Sequence, residues 1–215
     1  MPSSREPSDP SRPVDASRPA RLPAHADPAA PTPAETRDWT VITRESCAEC
    51  GFDPATVTAG AVPSRIRATV PRWEAVLTAP GPAGAGRLRD RPAPHTWSPL
   101  EYACHVRDVC RTFTARLAQI RDTPAEAGPA LFDDWDQNAA QVQGRYNAQD
   151  PAEVARAYAA AADTLAEAFA RVAADEWSRE GMRGDGARFT ALSLAAYLIH
   201  DLEHHLADAG ADRVR

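Results

Sequence analysis

From Trp39 onward, apolar side chains recur at three-to-four-residue spacing in blocks separated by Gly-, Pro- and Asp-rich stretches, the pattern of amphipathic helices rather than strands. The first block is Val62, Ile66, Val70, Trp73 and Leu77; Pro71 inside it predicts a kink or a break into two pieces. The second, Tyr102, Val106, Cys110, Phe113, Leu117 and Ile120, has the best-marked start in the chain. Ser98 suits the N-cap, Pro99 the first helical position and Glu101 the third, a capping box with Trp97 and Tyr102 in the staple positions. Asp150, Pro151 and Glu153 repeat that signal ahead of Val154, Tyr158, Ala161, Leu165, Phe169 and Val172. The last stripe is Leu192, Ala195, Ile199, Leu202 and Leu206, with Gly210 placed to terminate it.

Between these blocks, residues 131–147 predict a shorter helix, "SREGMRGDGAR" a small hairpin, and residues 39–42 a short strand or extended piece. Four long helices with no convincing run of strands predict an all-α fold, an antiparallel four-helix bundle over residues 61–210. Residues 39–60 form a short segment ahead of it that carries Cys47 and Cys50. Residues 1–38 hold nine of the 20 prolines and almost no large apolar side chains, which predicts a disordered tail. His25 lies in that tail and is set aside as a site residue.

Composition narrows the function. A net charge of -6 argues against a nucleic-acid partner, since such binding needs basic patches. All 24 basic residues are arginine, so lysine Schiff bases and phosphate-loop lysines are excluded, and the bias fits an actinobacterial source. The chain carries neither a secretory apolar run nor about 20 consecutive apolar residues, which predicts a cytoplasmic protein with no membrane partner and reduced cysteines.

The candidate chemistry lies in "HDLEHH", where three histidines fall at 200, 204 and 205. His200 and His204 are four apart, so on a helix they lie about 40° apart and one turn along, where both imidazoles reach one ion. His205 points away from that pair. A third ligand must come from another helix, and His105, at the margin of the second stripe, is the candidate. Three protein ligands leave open positions, as in catalytic rather than structural metal sites. The bland alternative is that these are half-buried histidines, each with a satisfied nitrogen. Asp108 and Asp201 are candidates to orient the rings, and Glu101 is explained by its capping role. Phe132 and Trp135 read first as covering the end of a core; the alternative is that Trp135 and Arg145 contact an organic anion. Cys47 and Cys50 read as a redox pair, a thiol partner to the metal or a vestige, because no further ligand pair remains to close a zinc site once the bundle histidines are assigned.

"WSPLEYACHVRDV" followed about a hundred residues later by "HDLEHH" resembles the DinB-like (YfiT-like) superfamily of metalloenzymes. The likeness runs through Trp97, Ser98, Glu101, His105 and Asp108, then His200 and His204, and covers roughly residues 60–210. It implies a four-helix bundle that binds a divalent metal, zinc or nickel, through His105, His200 and His204. It also implies a thiol cosubstrate such as mycothiol, an S-transferase or isomerase reaction on a small electrophile, and a homodimer. Isomerase-type members carry Glu at the first position of the last-helix pair, where this reading places His200. The other hypothesis is a non-catalytic regulatory bundle with a redox-sensing Cys47 and Cys50.

Overall fold

The two helix starts that the sequence marks are built from the caps it supplies. The computed structural model describes residues 37–78 and 87–211, so residues 1–36 of the expected tail lie outside the described part. The four long helices are α1 (Val62–Leu77), α2 (Pro99–Asp122), α4 (Pro151–Ala170) and α5 (Ala191–Asp208); α3 (Gln137–Gln143) is a short one between α2 and α4. At α2, the Glu101 N–H donates to Ser98 Oγ at 3.3 Å and the Ser98 N–H donates to the Glu101 carboxylate at 2.9 Å. Asp150 caps α4 by accepting from the Glu153 N–H at 2.9 Å. Gly210, at φ +77°, closes α5: the Ala211 N–H reaches the Leu206 carbonyl at 2.9 Å and the Gly210 N–H reaches Ala207 at 3.1 Å.

The bundle is as expected, but its neighbours are not in chain order. α4 packs on both α1 and α2, and α5 packs on the same two, so α1 and α2 stand on a diagonal. Ile66, Trp73, Leu117, Leu165 and Leu198 meet in the interior. α1 runs unbroken through Pro71, whose ring is exposed, so the carbonyl left without its N–H partner faces water.

Three local expectations change. Residues 39–42 belong to a 3-10 turn (Trp39–Thr43), started by Asp38 Oδ1, which accepts from the Thr40 N–H at 2.9 Å. The shorter helix expected over 131–147 shrinks to α3, because residues ahead of it form strand β1 (Ala130–Phe132). Alternation decides it: Ala130 and Phe132 point inward while Leu131 is 68% exposed. The expected hairpin is present as β2 (Glu180–Arg183) and β3 (Arg188–Thr190), and β1 joins β2 in parallel to make a three-stranded sheet. Gly181 permits that pairing, since a Cβ there would collide with the Phe132 ring.

α5 is buried on more than its bundle face. The segment from Trp39 to Val57, which has only short 3-10 turns, lies over its outer side and contributes Ile42, Cys47, Phe52 and Val57 to the core.

Beneath the start of α2 sits a buried ion pair. Arg91 Nε donates to Glu101 Oε2 at 2.9 Å, with side chains 1% and 0% exposed, and Gln141 Nε2 donates to Glu101 Oε1 at 2.9 Å. Removing one partner of such a pair strands a buried charge. Glu101→Ala is therefore expected to lower the unfolding free energy by about 3–5 kcal/mol in urea denaturation. A loss below about 1 kcal/mol, the scale of an exposed pair, would contradict this.

Candidate metal centre

The sequence "HDLEHH" occupies the last turns of α5, and a helix advances about 100° per residue. His200 and His204 thus share one line along the helix, and Asp201 and His205 share the next one round. These interleaved pairs meet different partners.

His105, from α2, meets Asp201 and His205, with one ligand atom from each within 4.8 Å of the others. His105 Nε2 is 3.3 Å from Asp201 Oδ2, and His205 Nε2 is 3.3 Å from Asp201 Oδ1. His205 Nδ1 lies 2.8 Å from Asp208 Oδ2, which fixes its tautomer and turns Nε2 toward the cluster. His105 stacks on Trp135 with ring centroids 5.4 Å apart, Trp97 packs against it at 5.1 Å, and Tyr102 stacks on His205 at 4.7 Å. Both nitrogens of the His105 ring are buried with no aligned hydrogen bond; the approach to Asp201 is close enough for charge attraction but lacks hydrogen-bond geometry. A buried polar group in that state is costly unless something else completes it.

The other pair, His200 and His204, faces Cys47 and Cys50, again with one ligand atom from each residue within 4.8 Å of the rest. Cys47 Sγ is 3.7 Å from His204 Nδ1, while His204 Nε2 looks toward Glu49 at 3.7 Å and Asp208 at 3.6 Å. Trp39 packs on both rings, at 5.4 Å from His200 and 5.0 Å from His204.

The charge states follow from these surroundings. Burial depresses the pKa of His105 and of His204, and burial with the neighbouring His204 pulls His200 down to about 4, so these rings stand neutral with lone pairs to offer. Burial also opposes charge on His205, but Asp201 and Asp208 outweigh it and raise it to about 9. Burial pushes the Asp201 carboxyl up, yet His105 and His205 hold it well below the usual carboxylate range. The negative charge that favours a proton on His205 equally favours a divalent cation between the three side chains.

The set expected from the sequence, His105 with His200 and His204, is not brought together among the described residues. His105 keeps its place, but its neighbours are Asp201, expected only to orient a ring, and His205, expected to point away. The signal was present in the sequence as a second i, i+4 pair displaced by one residue. Asp108 is elsewhere, held by Arg107, Arg111 and the Tyr146 hydroxyl at 2.7 Å. Arg145 is exposed, at φ 48°. Cys104 and Cys110 are core thiols that burial pushes up in pKa, Cys104 to about 12. Trp135 caps His105 and lines a cleft of about 920 Å³, whose floor is His200, Asp201, His204 and His205 and whose walls include Trp39 and Trp97.

Comparison with known proteins agrees with this architecture. A family model described as the DinB superfamily matches residues 72–209. No match was found among curated proteins. Among solved structures, YfiT from Bacillus subtilis, described as a "probable metal-dependent hydrolase with an unusual four-helix bundle topology", superposes with a TM-score of 0.61 at 13% identity over 78% of this chain and 88% of that one. Mycothiol-dependent maleylpyruvate isomerase superposes with a TM-score of 0.55 at 12% identity over 73% of this chain, which spans 62% of the isomerase. With a family model that runs from within α1 to just past the end of α5, this chain belongs to the DinB superfamily.

Proposed function

We propose that this protein is a metal-dependent enzyme in which His105, Asp201 and His205 hold one divalent ion, zinc or nickel, and that it transfers a thiol such as mycothiol to a small electrophile or uses it to isomerise one. The observation that carries the reading is His105: an imidazole whose two buried nitrogens make no aligned hydrogen bond, beside an anionic Asp201 and an oriented His205. Two imidazoles and one carboxylate suit a divalent transition metal and leave positions for an exogenous ligand. When bound, the ion lowers the pKa of a thiol that coordinates it and so supplies a thiolate nucleophile near neutral pH.

The chain's own groups then do the positioning. Asp208 accepts from His205 Nδ1–H and keeps Nε2 free as a ligand atom. Trp135 stacks on the His105 ring and Trp97 packs against it at a tilt, and the two indoles shield it from water. The cleft, about 920 Å³, has the size of a site for a cosubstrate plus a small second molecule. Its wall carries Arg183, which Asp185 anchors at 2.7 Å and which can face an anionic substrate group. The likeness to a mycothiol-dependent isomerase supports a thiol in this role. Asp201 at the first position of the pair also matches the carboxylate position of isomerase-type relatives better than His200 does.

Native protein assayed for bound metal, then screened for thiol-dependent turnover of small electrophiles, tests the reading. His105→Ala and His205→Ala are expected to lose one ion per chain together with the activity. Unchanged ion content and activity in both would contradict it, and turnover that needs no thiol would replace thiol transfer by hydrolysis. Asp208→Asn, which removes an orienting carboxylate without touching the ion, is expected to weaken metal binding at this centre about 10–100-fold in competition titrations with a chelator. An unchanged affinity would show that Asp208 orients nothing.

A further inference from the structure

Cys47, Cys50, His200 and His204 remain outside the reaction just described, and they come from two distant parts of the chain that the fold brings together. Cys47 and His204 are 157 residues apart in sequence, yet Cys47 Sγ stands 3.7 Å from His204 Nδ1. A tetrahedral zinc with Zn–S about 2.3 Å and Zn–N about 2.0–2.1 Å separates sulfur from nitrogen by about 3.6 Å. The observed separation is that edge.

We propose that these four side chains form a second metal site, a closed two-cysteine, two-histidine zinc clasp that fastens the Trp39–Val57 segment to the outer side of α5. Two soft sulfurs with two imidazoles select zinc over the oxygen-seeking divalent ions, and four protein ligands leave no open position, so the site is structural.

The backbone around the cysteines is already shaped for it. Gly51, at φ +81°, lets the chain reverse: its N–H donates to the Cys47 carbonyl at 2.8 Å, and the Cys47 N–H donates to the Phe52 carbonyl at 2.8 Å. The Phe52 N–H points at Cys50 Sγ at 3.5 Å, a donor suited to a thiolate. On α5, His200 Nε2 is buried without a partner. His204 presents Nδ1 to Cys47 while Glu49 and Asp208 lie beyond its Nε2, the arrangement of a metal-bound imidazole steadied from behind by carboxylates. Two thiolates and a divalent ion sum to zero charge, the state that burial against Trp39 and Phe52 tolerates best. Binding releases the two thiol protons to solvent.

The need for a clasp is visible in the segment itself. Its regular structure amounts to 3-10 turns, too little to hold its place by backbone hydrogen bonding, yet Trp39 and Glu49 form part of the cleft wall. The family model begins at residue 72, so the two cysteines lie outside the part of the chain it matches.

The test is cobalt substitution of the full-length protein after chelator treatment under reducing conditions. Wild type and His105→Ala are expected to show thiolate-to-cobalt charge transfer and the intense visible bands of a tetrahedral site, Cys47→Ser and Cys50→Ser to show weaker charge transfer, and the Cys47→Ser/Cys50→Ser double variant to lack it. Bound divalent metal should number two ions per chain in wild type and one in each variant that disables a single site, so failure of the clasp and failure of the catalytic reading are told apart. Hydrogen exchange on chelated wild type, which keeps every side chain, should show loss of protection in residues 39–57 and recovery with zinc, which covers the case of cysteine variants that fold poorly. Absence of sulfur-to-cobalt charge transfer in reduced wild type, or a Cys47–Cys50 disulfide in the protein as purified, would overturn the proposal in favour of a redox pair.

Discussion

The angular step of an α-helix, about 100° per residue, is the constraint on which the rest of this protein's site depends. Within "HDLEHH" it sends His200 and His204 to one side of α5 and Asp201 and His205 to another. One side faces α2 and gains His105; the other faces the Trp39–Val57 segment and gains two sulfurs. A helix buried on one face only could serve one of these clusters. α5 is buried on both, with the bundle on its inner side and a poorly structured segment on its outer side, and so it serves two.

Physical links between the clusters follow from their closeness on one helix. Asp208 lies 2.8 Å from His205 Nδ1 and 3.6 Å from His204 Nε2, so a single carboxylate stands behind an imidazole of each. His204 and His205 have ring centroids 5.6 Å apart. Aromatic side chains dominate the remaining surroundings: Trp97, Trp135 and Tyr102 around His105 and His205, and Trp39 and Phe52 around His200 and His204. Such walls exclude water, which depresses imidazole protonation and strengthens any charge interaction left inside. On the account proposed here, the clasp holds Trp39 and Glu49 in the wall of the cleft where the other ion would work. The structural ion then shapes the site of the catalytic one.

Much of the fold was legible in the sequence because its signals are local. Ser98 with Glu101 and Asp150 with Glu153 announce helix starts through contacts three residues apart, and Gly210 announces an end through one backbone conformation. What was not legible depended on partners distant in the chain. β1 became a strand because β2 was there to pair with it, and Pro71 did no damage because it faces water. The site shows the same division. The spacing of His200 and His204 was readable, as was the eligibility of His105, but two overlapping i, i+4 pairs fit the same six residues. Which of them His105 meets is set by the rotation of α5 against α2, which depends on bundle packing rather than on any short stretch of sequence. Cys47 and Cys50 alone lack two further ligands; on the account proposed here these are His200 and His204, the pair whose spacing in sequence points equally to His105.

The most direct test of that division is a crystal structure of the zinc-loaded protein with anomalous scattering measured at the zinc edge. The account predicts two separate anomalous peaks on adjacent sides of α5, one among His105, Asp201 and His205 and one among Cys47, Cys50, His200 and His204. A single peak shared by His105, His200 and His204, with the cysteine sulfurs uncoordinated, would contradict it.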